Sequence, residues 1–205
     1  MSIGPDIQEV LAELGTAITL HPYGGTPVPA GHIDFVVFTE HSTPFTRMFL
    51  HSATTQYDTI VNIGDVVSWG GNYYLTTNKK PVEFENEVIE YEMLFYFANV
   101  TGSFHRLSET PTYDADYKLI NPWTPYAENV HVTLSENDIG KAVGTNEQIS
   151  SLSSVSNFLY VSAVHDIKIG DRFILTAERQ FQIETIDDLM YQGVNVCVVK
   201  EDLRG

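Results

Sequence analysis

The sequence predicts a mainly β protein with one or two small β-barrel-like domains, a short N-terminal α-helix and long loops. Two observations support this fold class. Short runs of β-branched, aromatic and alternating residues recur along the chain, separated by glycine and proline turns. Helical spacing of apolar residues is confined to the first fifteen positions. The 205 residues are 43% hydrophobic, which is enough to bury a core without disulfides.

The N-terminal segment predicts a helix from about Pro5 to Leu14. Its apolar residues lie at i, i+3, i+4 and i+7, and they are Ile7, Val10, Leu11 and Leu14. Pro5 suits the first helical turn and Gly15 suits the end of the helix. A helix of this length is marginal alone, so we expect the apolar stripe to dock on the sheet or on another subunit.

Strands follow the helix in order. The pattern predicts them over residues 16–20, 33–39, 57–62, 66–69, 73–77, 88–100, 130–134, 158–161, 181–186 and 194–199, and it predicts a turn followed by a strand over 168–175. The clearest local signal is Gly70-Gly71-Asn72, which predicts a tight hairpin. The single cysteine, Cys197, lies in the last apolar run, where we expect a buried side chain.

Composition shifts suggest three parts: an N-terminal helix and β-domain over 1–107, a proline- and aromatic-rich linker over 108–128, and a C-terminal barrel-like domain over 129–205. Polar stretches at 21–32, 40–55 and 144–156 are predicted to be long loops, with room for one strand in the second of them. The tripeptide Ile-Gly-Asp at residues 63–65 recurs at 169–171, each time before a hairpin. This recurrence indicates either a duplication or a turn sequence that is common in small barrels.

The charge balance excludes several functions. Asp and Glu number 27 against 11 Lys and Arg, a formal charge of −16, and the basic residues form no cluster. We therefore expect neither sequence-specific nucleic-acid binding nor docking on an anionic membrane. The N-terminus lacks the features of a signal peptide, and no stretch approaches a membrane span in length.

Enzymatic motifs are missing from the sequence. The seven histidines form no HxH, HxxxH or HExxH spacing, and neither a nucleophile elbow nor a phosphate-binding loop is present. We therefore predict no catalytic residue, no metal and no cofactor. An acidic run comprises Glu83, Glu85, Glu87, Glu90 and Glu92. Neighbours at i and i+2 on one strand point the same way, so a solvated acidic face is favoured over a glycosidase pair. The same face could complement a basic partner.

Aromatic residues offer a further candidate surface. Trp69, Tyr73, Tyr74, Trp123 and Tyr126 could form a sugar-stacking platform, but core packing and subunit contact are the favoured interpretation. As candidate subunit-interface residues we select the helix stripe and three aromatics: Ile7, Val10, Leu11, Leu14, Trp69, Tyr74 and Trp123.

Several segments resemble structural proteins of tailed bacteriophages. They include Ile3-Gly4-Pro5-Asp6-Ile7, Tyr57-Asp58-Thr59, Gly64-Asp65-Val66-Val67, Tyr73-Tyr74-Leu75-Thr76-Thr77, Phe84-Glu85-Asn86-Glu87-Val88 and Asn99-Val100. The closing part, with Gly170-Asp171-Arg172, Phe181-Gln182-Ile183-Glu184 and Glu201-Asp202-Leu203-Arg204, is similar to small-barrel head-closure and head–tail joining proteins.

The resemblance implies a non-enzymatic virion component assembled in the host cytoplasm. Such subunits form cyclic homo-oligomeric rings around a DNA channel and contact other neck, portal and tail proteins through inserted loops. An acidic channel lining would let DNA pass in passive contact without sticking. The chain is longer than the simplest head-closure proteins, so a tail or baseplate domain, including a carbohydrate-binding one, is the alternative. A hydrolase using the run from Glu83 to Glu92 is a third hypothesis.

Overall fold

The computed structural model describes residues 3–36, 49–136 and 157–202, and these residues form two closed antiparallel β-barrels. Helix α1 (Gly4–Leu14) precedes the first barrel. The strands of that barrel are β1 (Thr16–His21), β2 (Val28–Val36), β3 (Leu50–Gln56), β4 (Val66–Trp69), β5 (Asn72–Phe84) and β6 (Glu87–Phe97). The prediction of a mainly β, barrel-containing fold with one short N-terminal helix is confirmed.

The second barrel begins immediately after β6. Its strands are β7 (Val100–Leu107), β10 (Trp123–Ser135), β11 (Asn157–Ser162), β12 (Arg172–Thr176), β13 (Arg179–Tyr191) and β14 (Val194–Glu201). Two short strands, β8 (Thr112–Tyr113) and β9 (Leu119–Ile120), pair with each other outside both barrels.

The two barrels share one topology. Strands around the first barrel follow the order β1-β2-β3-β6-β5-β4, and those around the second follow β7-β10-β11-β14-β13-β12. Numbering the six barrel strands of each unit in chain order makes the two orders identical. Every neighbouring pair in both barrels is antiparallel. The repeated topology supports duplication over a shared turn sequence.

The repeat extends to individual hydrogen bonds in the turn before β4 and before β12. The Gly64 N–H donates to the carbonyl of Thr76, and the Asp65 carbonyl accepts from the Thr76 N–H. Gly170, Asp171 and Ile183 make the same two bonds in the second barrel. Both glycines have a positive φ, 90° and 92°, which favours glycine at each position.

Each barrel encloses its own apolar core. The inward faces of alternating strand residues supply it, as the two-residue period of a strand requires. In the first barrel the fully buried side chains include Ile33, Val67 and Phe95, and in the second they include Phe104 and Phe173. Cys197 is also fully buried in the second core, as predicted.

Helix α1 closes one side of the first barrel and packs against β2, β3 and β6. Leu11 is the buried member of its apolar stripe. The Gly15 N–H donates to the Leu11 carbonyl at 2.8 Å and so satisfies one of the last helical acceptors. No helix among the described residues is both long and apolar enough to cross a membrane.

Sheet pairing divides the chain at Ala98–Asn99, not after residue 107. Strand β7 lies within the predicted N-terminal unit 1–107, but it pairs with β10 and β12 of the second barrel. The predicted linker 108–128 likewise contributes its last six residues to β10. Local composition misplaced the boundary because the decisive pairs join residues far apart in sequence.

Three further predictions differ from the structure. The predicted loop 21–32 ends early, since β2 begins at Val28, and residues 50–55 of the predicted loop 40–55 belong to β3. Residues 40–48 and 144–156 lie outside the described residues. Residues 57–62 form a turn and an irregular segment, not a strand. Their alternation arises because Thr59 and Val61 are buried without joining a ladder.

Candidate functional site

The two barrels meet at an apolar seam. Its buried residues come from β5, β6 and the position just before β3 on one side, and from β11 and β14 on the other; they are Phe49, Leu75, Tyr96, Tyr160, Val194 and Val196. The rings of Tyr96 and Tyr160 meet edge-on with centroids 5.2 Å apart. The seam therefore joins the barrels through shared core packing in addition to the chain connection.

A backbone contact between two glycines lies at this seam. The tip of the β13–β14 hairpin places Gly193 directly against the turn Ile63–Gly64. A Cβ on Gly64 would overlap the carbonyl oxygen of Gly193, and a Cβ on Gly193 would approach the Ile63 carbonyl oxygen to 2.7 Å. The Gly193 carbonyl also accepts from the Ala163 N–H at 2.9 Å. Glycine is therefore required on both sides of the contact.

Three histidines and Tyr23 form part of the lining of a groove of about 710 Å³ beside the seam. The His131 ring stacks on the Tyr73 ring with centroids 3.6 Å apart. The His21 ring meets the same Tyr73 ring edge-on with centroids 5.0 Å apart. His165 contacts Tyr23 across the groove at 4.4 Å. Burial lowers the pKa of His165 to about 4, so this side chain is neutral at pH 7.

An ion-pair centre fixes the turn of the second barrel. The Asp171 carboxylate accepts from Arg106 Nε at 2.9 Å, from Tyr126 Oη at 2.8 Å and from the Lys168 N–H at 2.8 Å. Burial by itself would raise the pKa of Asp171, but these hydrogen bonds outweigh it and hold the pKa below its ordinary value. Burial and the bond to Asp171 raise the pKa of Tyr126.

A surface cavity of about 530 Å³ lies over this centre, lined in part by Trp123, Lys168, Ile169 and Gly170. The Arg172 guanidinium covers the Trp123 ring at 4.1 Å and pairs with the buried Asp202 at 2.7 Å. Ile169 is 69% exposed. The cavity thus presents an apolar side chain and a lysine at the rim of a hydrogen-bonded turn.

The structure separates the four predicted residues of the helix stripe. Leu11 is buried against the first barrel and Ile7 is half-buried, whereas Val10 is 54% and Leu14 is 83% exposed. The stripe is therefore divided between packing on its own barrel and a free apolar edge. Val10 and Leu14 are the two members that a partner can reach.

The structure divides the three predicted aromatics between the two barrels. Trp69 stacks on Tyr74 at 3.4 Å, and Tyr74 is buried in the first core, which removes it from the accessible surface. Trp123 lies in the second barrel beneath Arg172. A single sugar-stacking platform does not form from these rings. Core packing describes Trp69 and Tyr74 better than an exposed interface does.

The acidic run lies on the β5–β6 hairpin. Glu83, Glu85 and Glu87 are exposed at its tip, together with Phe84, which is 49% exposed. Lys80 pairs with Glu92 at 3.5 Å farther along the hairpin, with both side chains more than half exposed. The tip thus combines negative charge with one accessible aromatic ring.

One apolar surface was missed by the sequence analysis. The β8–β9 ribbon exposes Tyr113, Tyr117, Leu119 and Ile120 by 71%, 87%, 62% and 42%, respectively. The isolated aromatics between prolines indicate a linker that lies on a surface, but they do not predict a strand pair with its apolar side chains exposed. Adjacent exposed apolar residues of this kind mark sites of protein contact.

Two features of the described residues bear on metal binding and on the reactivity of the single cysteine. They contain no group of three or more His, Cys, Asp or Glu side chains arranged to hold a metal ion. Burial raises the pKa of the Cys197 thiol to about 12, which removes it as a nucleophile at neutral pH.

Comparison with known proteins found no matching family model, no matching curated protein and no matching solved structure.

Proposed function

We propose that this protein is a non-enzymatic, ring-forming subunit of a tailed-phage virion, located at the head–tail neck as a head-closure or tail-joining component. The observation that carries the proposal is the set of apolar side chains left uncovered outside two complete barrels. Val10 and Leu14 on α1 and the β8–β9 ribbon lie in separate parts of the chain. Two separate apolar surfaces suit a subunit that contacts neighbours on more than one side.

The charge distribution supports the same role. A formal charge of −16 disfavours adhesion to phosphates, so a ring of such subunits would leave DNA free to move through its channel. The partners of this proposal are further copies of the chain and the portal, neck and tail proteins of the particle. The place of action is the virion, after assembly in the host cytoplasm.

Localisation in intact particles tests the proposal. We expect cryo-electron microscopy of particles carrying a C-terminal gold-binding tag to show a ring between the capsid vertex and the tail. A density at the distal tail would overturn the neck assignment and favour the baseplate alternative. A purified monomer that never enters particles would overturn the virion role altogether.

Variants of the exposed helix edge supply a second test. Leu14→Ser combined with Val10→Ser should abolish incorporation into particles while the circular dichroism spectrum stays that of the parent. Ile60→Ser is the matched control, because Ile60 is also an exposed apolar residue of the first barrel, at 52%, but lies outside α1. Equal incorporation of the helix and control variants would contradict a docking role for α1.

A further inference from the structure

The internal seam contains a contact between a hairpin tip and a glycine turn. The chain also holds a second hairpin tip and a second glycine turn, and these two halves of the contact do not meet each other among the described residues. In the seam, the tip of β13–β14 at Gly193 meets the turn Ile63–Gly64. Because the barrels repeat, the counterpart of that tip lies on β5–β6 and the counterpart of that turn is Ile169–Gly170. The pairing already made within one chain therefore predicts a second pairing between chains.

The correspondence holds residue by residue along β5 and β13, the strands that lead to the two tips. Thr76 and Ile183 are equivalent through their bonds to the Gly-Asp turns, and each precedes the same register shift in its strand. Asn86 lies ten positions after Thr76, and Gly193 lies ten positions after Ile183. Both have a positive φ, 65° for Asn86 and 82° for Gly193, so each marks the turn of its hairpin.

The two unused halves are both accessible. Among the described residues, no heavy atom lies within 4 Å of a Cβ built on Gly170, whereas one on Gly64 meets Gly193. Ile169 beside Gly170 is 69% exposed, and Phe84 beside the β5–β6 tip is 49% exposed. Each half thus offers one apolar side chain for burial by the other.

The hairpin tip and the face around the Ile169–Gly170 turn carry opposite charges. The tip carries exposed Glu83, Glu85 and Glu87, and Lys168 next to the turn is 61% exposed at its side chain, with its ammonium 3.6 Å from the exposed Asp166 carboxylate. Strand pairing of Val66, Leu75 and Tyr96 matches that of Arg172, Gln182 and Lys200. Three apolar seam positions of the first barrel are thus polar or basic in the second. An acidic tip fits this face by charge where the internal seam fits by apolar burial.

We propose that the β5–β6 hairpin tip of one copy docks on the Ile169–Gly170 turn of the next copy, repeating the internal contact between chains. The occupant of the cavity over that turn is a second copy of this chain. The inference rests on the proposed ring-forming role and names the surfaces that form the ring. Because the two surfaces differ, the contact is heterologous and propagates from copy to copy until it closes.

Cysteine cross-linking between two separately purified full-length variants tests the contact. One variant carries Glu87→Cys at the tip and the other carries Ile169→Cys at the turn, so only a contact between chains can join them. The native Cys197 is fully buried and does not compete. We expect mild oxidation of the mixture to give a disulfide-linked dimer. Replacing Ile169→Cys by Glu178→Cys, at the exposed β12–β13 turn, should give none.

Charge reversal provides a second readout by mass photometry. Lys168→Glu should weaken self-association about fivefold, the effect of losing a pair worth about 1 kcal/mol, and Glu85→Lys in the same chain should restore it. Cross-linking equal to that of the Glu178→Cys control, or no restoration, would overturn the docking geometry.

The particle experiment separates this inference from the proposed function. If rings are present in particles but Glu87→Cys and Ile169→Cys do not cross-link, the docking geometry is wrong and the ring-forming role stands. If the protein is not found in particles and no cross-link forms, both are wrong. Cross-linking of a protein that never enters particles would support self-association and overturn the virion role.

Discussion

Asp65 and Asp171 occupy the same turn in the two barrels but have different surroundings. Each carboxylate accepts the N–H of the residue three positions earlier at 2.8 Å, from Asn62 and Lys168. Arg106 and Tyr126 also bind Asp171. Burial raises the pKa of Asp65, and the Asn62 bond offsets this only in part, whereas the pKa of Asp171 is lowered.

Strand register explains the difference. His21 pairs with Val66 and His105 pairs with Arg172, so Pro22 occupies the place of Arg106. By the same reasoning from the β1–β2 and β7–β10 pairs, Pro27 occupies the place of Tyr126. The comparison teaches that the turn needs its glycine and its carboxylate for backbone geometry. The ion-pair centre is an addition made in one barrel only.

Substitution of the two turn glycines, Gly64 and Gly170, should give the largest loss of stability and the clearest difference between the barrels. Gly64→Ala should lower the free energy of unfolding by about 3–4 kcal/mol, through left-handed strain and overlap with Gly193. Gly170→Ala should cost only the strain, about 1–2 kcal/mol. Urea unfolding followed by tryptophan fluorescence measures both losses. Replacing Trp123 by Phe leaves Trp69 as the reporter of the first barrel, and replacing Trp69 by Phe leaves Trp123 as the reporter of the second. Equal losses would show that the seam contact does not constrain Gly64.

His165 should give the next largest effect, through pH. Its pKa is about 4 in the folded chain and about 6.5 when unfolded, so the unfolded chain binds more protons between these values. Stability should therefore fall as pH falls through this window, by up to about 3 kcal/mol. Thr59, 106 positions earlier, occupies the equivalent place in the first barrel and does not titrate.

His165→Phe isolates this contribution. The phenyl ring keeps an aromatic partner for Tyr23 and Phe104 but binds no proton. Urea midpoints at pH 7 and pH 4.5 should differ less in this variant than in the parent, because the other histidines are unchanged. An unaltered pH dependence would mean that His165 is not the group responsible.

The two turn aspartates should differ by a smaller amount. At pH 7, Asp171→Asn should cost about 2 kcal/mol, because it removes the buried carboxylate that pairs with the partly exposed Arg106. Asp65→Asn should change stability by less than about 0.5 kcal/mol, because burial already disfavours its charged form and the amide oxygen still accepts the Asn62 bond. Urea unfolding at pH 7 checks both, and equal losses would remove the distinction between the turns.

Asp65 and Asp171 contribute to the pH dependence of stability with opposite signs. The pKa of Asp171 is lowered by folding, so its stabilisation is present above the unfolded pKa and is lost as pH falls through the folded value. The pKa of Asp65 is raised, so stability falls as pH rises through its folded value. The cost of Asp171→Asn should therefore shrink in acid.

Local chemistry made part of this fold predictable from sequence. The hairpin at Gly70–Gly71 and the Gly-Asp turns could be recognised because positive φ demands particular residues over two or three positions. The helix could be recognised by its apolar period. The membership of β7 in the second barrel could not, because it depends on pairing with β10 and β12, which follow later in the chain. The proposed docking of the β5–β6 tip on the Ile169–Gly170 turn depends on the same pairing, because that pairing defines the repeat of the two barrels.

The additions that break the repeat should have the smallest effect on stability. Helix α1 precedes the first barrel, and the β8–β9 ribbon interrupts the second between β7 and β10, where the first has only residues 22–27. Leu14→Ser and Tyr117→Ser should each change the free energy of unfolding by less than about 0.5 kcal/mol, because Leu14 is already 83% exposed and Tyr117 is already 87% exposed.

Leu11→Ala is the matched contrast within the same helix. Leu11 is 6% exposed, so its truncation should cost about 2–4 kcal/mol in the urea experiment that reports no change for Leu14→Ser. A loss above about 1 kcal/mol for either exposed variant would assign that side chain to the fold of its own chain. With stability unchanged, each barrel would be complete without its addition, and the apolar residues on α1 and the ribbon would remain free to bind neighbouring subunits.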